Sequence, residues 1–119
     1  MTPFEEIGGE RTLREVIETF VDRITSDMMI GFFFRHVDIA RLKDLEYQHA
    51  AQLFGAPVVY EGRPLQQAHR SHRIMDGQFN RRIHILREVC AMHHIPQHIT
   101  DHWLEHQNQL RDHIVQRSC

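Results

Sequence analysis

Between residues 12 and 26 the apolar positions Leu13, Val16, Ile17, Phe20, Val21 and Ile24 recur at spacings of three and four. That period places them on one face of a helix. "MMIGFFF" follows, interrupted by Gly31, and its three phenylalanines, Phe32, Phe33 and Phe34, are expected to be buried. Asp38 reads as an N-cap, and Ile39, Leu42, Leu45, Glu46, His49 and Leu53 line one stripe of the next helix. Gly55, Pro57, Gly62 and Pro64 mark "GAPVVYEGRP" as a loop, and "PLQQAH" can form a short helical turn after it. Asp76 is expected to cap a helix running from Gly77 to about His93, with Phe79, Ile83, Leu86 and Cys90 inward. Pro96 opens the last helix, with Ile99, Trp103, Leu110 and Ile114 on one face. At the start, Thr2, Pro3 and Glu5 form the pattern of an N-cap, a first-turn proline and a capping-box acid, and Gly8 and Gly9 break that turn. No alternating strand pattern competes, since "PVVY" is too short. The class is all-α.

Composition narrows this picture. A chain of 119 residues is read as a single domain, 1–119, with a modest core. A net charge of -2 with no basic run argues against a nucleic-acid partner. No apolar stretch approaches the roughly 20 residues needed to span a membrane. "MTPFEEIGGE" is acidic and has no signal core, so a cytoplasmic location is expected. Cys90 and Cys119 do not make a disulfide framework.

Eleven histidines are the compositional oddity. His98, His102 and His106 recur at i, i+4 and i+8, a spacing that can bind zinc on a helix, but no cysteine or acid completes a site. A solvated face is the expectation there. Two other features do not suit a plain bundle. The irregular stretch from Gly55 to Arg73 is long, and the polar pair Glu46 and His49 sits within an apolar stripe. An untidy bundle and a cofactor pocket both account for these features.

Several motifs, taken in their order and spacing, carry a family resemblance. "FEEIGGE", "FFFRHVDIARLK", "FGAPVVYEGRPLQQAH", "HRSHRIMDGQF" and "HHIP" together resemble the truncated haemoglobins, most of all their first group. The resemblance covers nearly the whole chain. It includes a Tyr-x-Gly at Tyr60, a histidine at His69, an isoleucine at Ile74 and a phenylalanine at Phe79. It implies a truncated globin-like 2-over-2 helical sandwich around haem b. His69 is then the proximal iron ligand, a neutral imidazole whose second ring nitrogen needs an acceptor to fix its orientation. Phe34 packs on the haem face with Phe33 beside it, and His72 lies toward a propionate or solvent. Phe20, Leu42, Leu45, Leu53, Ile74, Phe79, Ile83, Leu86 and Ile114 complete the apolar box.

The distal side departs from the family. Where the family carries a tyrosine in "FYxRV", this chain has "FVDRI", with Val21 at that position. Glu46 stands where a glutamine is usual, and His49 one turn on. The expected distal pocket is Phe20, Val21, Leu42, Glu46 and His49. Glu46 and His49 are three apart, within reach of each other. His49 is open to three uses: donating to a bound gas, ligating the iron as a sixth ligand, or facing solvent with Glu46. Tyr47 points from the next face and is ill-directed for this pocket. The resemblance implies reversible binding of a diatomic gas, O2 with NO or CO as alternatives. Nitric oxide dioxygenase-type activity would need a reductase as partner. A redox or gas-sensing haem protein with His49 as internal ligand is the alternative.

Overall fold

The computed structural model describes residues 1–62 and 74–115. Among these, helices α1 (Pro3–Glu6), α2 (Gly9–Ser26), α3 (Ile39–Leu53), α4 (Asp76–Met92), α5 (Gln97–Gln109) and α6 (Arg111–Ile114) follow in order, with a 3-10 turn at Gly31–Phe34 before α3. The expected turn at "PLQQAH" lies outside the described residues, as do His69 and His72.

Helix α1 starts as its sequence dictates. The Thr2 hydroxyl accepts from the Glu5 N–H, and the Glu5 carboxylate accepts from the Thr2 N–H, both at 3.1 Å. Gly8 and Gly9 take positive φ of 109° and 77°, so the chain reverses cheaply into α2. All six apolar residues of the α2 stripe, Leu13, Val16, Ile17, Phe20, Val21 and Ile24, are buried. Helix α2 packs against both α3 and α4, and α4 packs against α5. Each large side chain removed from water here, Phe20, Phe54 and Phe79 among them, stabilises the fold by about 1.5–3 kcal/mol.

Asp27, just past α2, holds the corner that follows. Its carboxylate accepts from the Met29 and Ile30 N–H groups and from the Nε and Nη2 of Arg81 on α4. The Arg81 guanidinium therefore keeps the Asp27 carboxyl below its ordinary pKa.

Several expectations need correction. Phe32 is 47% exposed, and Phe33 and Phe34 are only half-buried. A 3-10 turn eclipses side chains three apart, so it cannot turn three consecutive phenylalanines inward. On α3 the buried residues are Tyr47, Ala50 and Ala51, whereas Leu42, Leu45 and Leu53 are half-buried. The small alanines let α3 approach α2 closely, and the leucine stripe lies on the adjoining face. Asp76 is the first residue of α4 and not its cap; Gln78 Oε1 accepts from the Met75 N–H at 2.8 Å, and Asp76 pairs with Arg111. The last helix breaks at Leu110, so Ile114 belongs to the separate α6.

Two helices end alike. After α3, Gly55 donates to the Gln52 carbonyl and Ala56 to the Ala51 carbonyl. After α4, His94 donates to the Ala91 carbonyl and Ile95 to the Cys90 carbonyl. Both are Schellman caps, which need a left-handed residue at their centre. Gly55 supplies it at φ 92°, but His94 is held there at φ 56°. A side chain in that region costs energy that glycine does not. His94→Gly is therefore expected to raise stability by about 0.5–1 kcal/mol, and Gly55→Ala to lower it by about 1 kcal/mol. Urea midpoints of the two variants check both signs.

Candidate functional site

The half-buried face of α3 meets α4 through an ion pair and α5 through a contact between two imidazole rings. Glu46 does not pair with His49. Both of its carboxylate oxygens accept from Nη2 of Arg82 on α4, at 3.0 and 2.9 Å. Arg82 also donates from Nε and Nη2 to Oε1 of Gln107 on α5, each at 3.3 Å. Gln107 is a buried polar residue, 3% exposed, and needs such a partner. Beneath the guanidinium lies the Phe20 ring of α2, 4.9 Å from the Arg82 Cζ. One side chain thus links four helices. Arg82 and Glu46 keep 22% and 21% of their side-chain surface, so the pair is largely but not wholly removed from water.

His49 stands one turn beyond Glu46. Its ring centroid is 5.4 Å from that of Tyr60 and 5.6 Å from that of His106. Burial pushes its pKa below the ordinary histidine value. Glu46 pulls it upward, while His106 and Arg82 add to the depression. His106 is depressed as well, by burial and then by His102. Its Nδ1 is buried with no hydrogen-bond partner among the described residues. The i, i+4, i+8 trio is therefore split: His98 and His102 are exposed, with His98 bonded to Glu6 at 2.8 Å, and His106 turns inward. Among the described residues no group of three His, Cys, Asp or Glu could hold a metal ion.

The other expected site residues fall into two sets. Phe20, Val21, Phe79 and Ile83 are buried, while Phe34, Leu42, Leu45 and Ile74 are half-buried. Tyr47 is 4% exposed and turned from this cluster, its ring capped by Arg14 at 3.8 Å. The sequence reading missed Arg82, Gln107 and His106. Arg82 stands beside Ile83 on a helix with an apolar face, and Gln107 lies one turn beyond the buried Trp103 and Leu104 of α5. A polar residue flanked by Trp103, Leu104 and Leu110 was the only signal available.

The fold is all-helical among the described residues, and the half-buried face of α3 carries His49 against His106 of α5. A family model described as bacterial-like globin matches residues 2–116. The chain belongs to that family, and within it resembles the truncated haemoglobins. It is 32% identical over 76 residues to a group 1 truncated hemoglobin of Mycolicibacterium paratuberculosis, a match spanning 64% of this chain and 56% of the relative. The chain thus covers little more than half the length of that protein. A group 1 truncated hemoglobin of Nostoc sp. is 25% identical over 91 residues, 76% of this chain and 77% of the relative. Among solved structures, the ferric truncated hemoglobin of Tetrahymena pyriformis superposes with a TM-score of 0.90 at 18% identity, covering 98% of this chain and 100% of that one. The group II truncated hemoglobin of Bacillus anthracis gives 0.86 at 23%, covering 98% and 92%. The expected truncated-globin fold is the one observed.

Membership of the globins implies haem, and the described residues fit such a group. Phe34, Leu42, Leu45 and Leu53 offer half-buried apolar surface, His49 is a neutral imidazole, and His106 Nδ1 is an unanswered polar atom beside it.

Because burial depresses both imidazoles, the native state resists their protonation more than the unfolded chain does. Their contribution is complete above about pH 6.5, the unperturbed value, and is lost as pH falls through the folded pKa values. The urea midpoint of the haem-free protein is expected to fall between pH 7.5 and pH 5.5. His106→Leu should flatten that fall. The carboxyls Asp27 and Glu88, whose pKa values are lowered by Arg81 and Arg23, titrate below this window. A midpoint independent of pH across it would show that the imidazoles charge without cost.

Proposed function

We propose that this protein binds haem b through His69 and reversibly binds a diatomic gas on the opposite face. The observation that carries the reading is the globin family match over residues 2–116, together with a fold that brings Glu46 of α3 to Arg82 of α4. His69 is assigned from the resemblance to the truncated haemoglobins, whose pattern it matches nine residues after Tyr60 and ten before Phe79.

Haem iron, when bound, supplies the reversible bond to the gas. The chain's own residues set the conditions. Phe20, Val21, Phe79 and Ile83 exclude water, which disfavours oxidation of the iron. Leu42, Leu45, Phe34 and Ile74 supply the apolar wall, with His72 at the edge. Val21 gives no hydrogen bond, so the polar groups nearest the stripe are Glu46, His49 and Arg82. O2 is the ligand we favour, with NO and CO as competitors. Nitric oxide dioxygenation would further require a reductase.

A second reading has its own support. His49 is on the stripe and neutral at pH 7, the protonation state in which an imidazole binds iron. In that case the protein is a redox or sensing haem protein with an internal sixth ligand. A six-coordinate low-spin ferrous spectrum that becomes five-coordinate in His49→Leu supports this reading, whereas a five-coordinate wild type supports gas binding at an open site.

The proximal assignment is tested separately. His69→Gly is expected to lose haem, seen as loss of the Soret band after purification, and added imidazole is expected to restore it. Full haem content in His69→Gly without imidazole would mean that another residue holds the iron.

A further inference from the structure

Val21 offers no hydrogen-bond donor, but Arg82 on α4, stacked over the neighbouring Phe20 ring, does. The Arg82 guanidinium carries five N–H donors in a fixed plane. Nε and Nη2 are committed to Glu46 and Gln107. Nη1 makes no hydrogen bond with any described residue. The plane is held from below by the Phe20 ring and from the sides by helices α3 and α5, so the free edge is oriented and cannot swing away at little cost. Phe20 and Glu46 belong to the set already assigned to the distal face. The only carboxylate on that stripe, Glu46, is bound to the same guanidinium.

We propose that Arg82 is the ligand-facing cation of this pocket and that Glu46 is an internal anion competing for it. The site then favours small ligands that end in negative charge, such as azide, cyanide or nitrite, over neutral ligands of similar size. The proposal rests on the haem reading above. An incoming anion meets the two Nη1 hydrogens without first breaking the Glu46 pair. With only 22% of the Arg82 side chain exposed, such a charge-assisted bond strengthens binding by about tenfold to a hundredfold. Glu46 limits the gain, because its carboxylate repels the same anion and spreads the guanidinium's charge over two partners. Removing the carboxylate should therefore tighten anion binding, whereas removing the guanidinium should weaken it. A structural clamp with no ligand contact would do neither.

The test is a spectral titration of the ferric haem-loaded protein with azide, and in parallel with neutral imidazole. Wild type, Arg82→Met and Glu46→Gln are compared, with Arg82→Gln added because it keeps a hydrogen-bonding end toward Gln107 should the methionine variant fold poorly. Azide is expected to bind about tenfold or more weakly to both Arg82 variants and several-fold more tightly to Glu46→Gln. The imidazole affinity should change by less than about twofold throughout. The infrared stretch of carbon monoxide on the ferrous protein gives a second readout: a cation near the oxygen lowers it, so it should move to higher frequency in Arg82→Met and Arg82→Gln. Azide-to-imidazole ratios equal in all four proteins, or a carbon monoxide band that does not move, would overturn the role of Arg82 while leaving haem binding intact. Absence of a Soret band in the wild type would overturn the haem reading and this proposal together.

Discussion

Six apolar side chains on one face of α2 must leave water together, and the positions of the other helices follow from how they do so. Leu13, Val16, Ile17, Phe20, Val21 and Ile24 form a continuous ridge that α3 and α4 cover from different directions. Burial of this ridge is non-directional, so it does not by itself choose an arrangement. The choice comes from shape. Ala50 and Ala51 bring α3 close, Phe54 and Trp103 meet edge to face at 5.2 Å, and Gly31 allows the chain to pass where an added Cβ would lie 2.8 Å from the Thr25 carbonyl oxygen.

Once α2 is covered, one face of α3 remains half open, and that is where the chemistry collects. A charge placed there is expensive unless it is both paired and hydrogen-bonded. Arg82 satisfies this with a carboxylate on α3, an amide on α5 and an aromatic face on α2. Its partners come from separate helices, so the cluster exists only when all four are assembled. Such a group adds little to stability compared with an apolar replacement of the same shape. What it adds is a fixed direction for charge on the half-buried face of α3.

The same reasoning explains how a chain 18–23% identical to truncated hemoglobins of known structure keeps their fold. Helix periodicity, capping boxes and glycine turns are satisfied by many sequences. Val21 is fully buried within the α2 ridge.

The sequence by itself determined the helical class, the buried face of α2, the capping of α1, the opening of α5 after Pro96 and, by motif spacing, the globin resemblance. Each of these depends on residues within about one helical turn of one another or on a fixed order along the chain. It did not determine which face of α3 is buried, because Leu42/Leu45/Leu53 and Tyr47/Ala50/Ala51 are both plausible stripes, and only the neighbour across α2 selects the smaller residues. Nor did it determine the partner of Glu46. His49 is close in sequence and lies within reach, but Arg82, 36 positions away, wins because a guanidinium answers a half-buried carboxylate with charge as well as hydrogen bonds, whereas burial keeps the His49 imidazole neutral. The inward turn of His106, on a helix face that read as solvated, was decided in the same way, by the packing of α5 against elements distant in the chain.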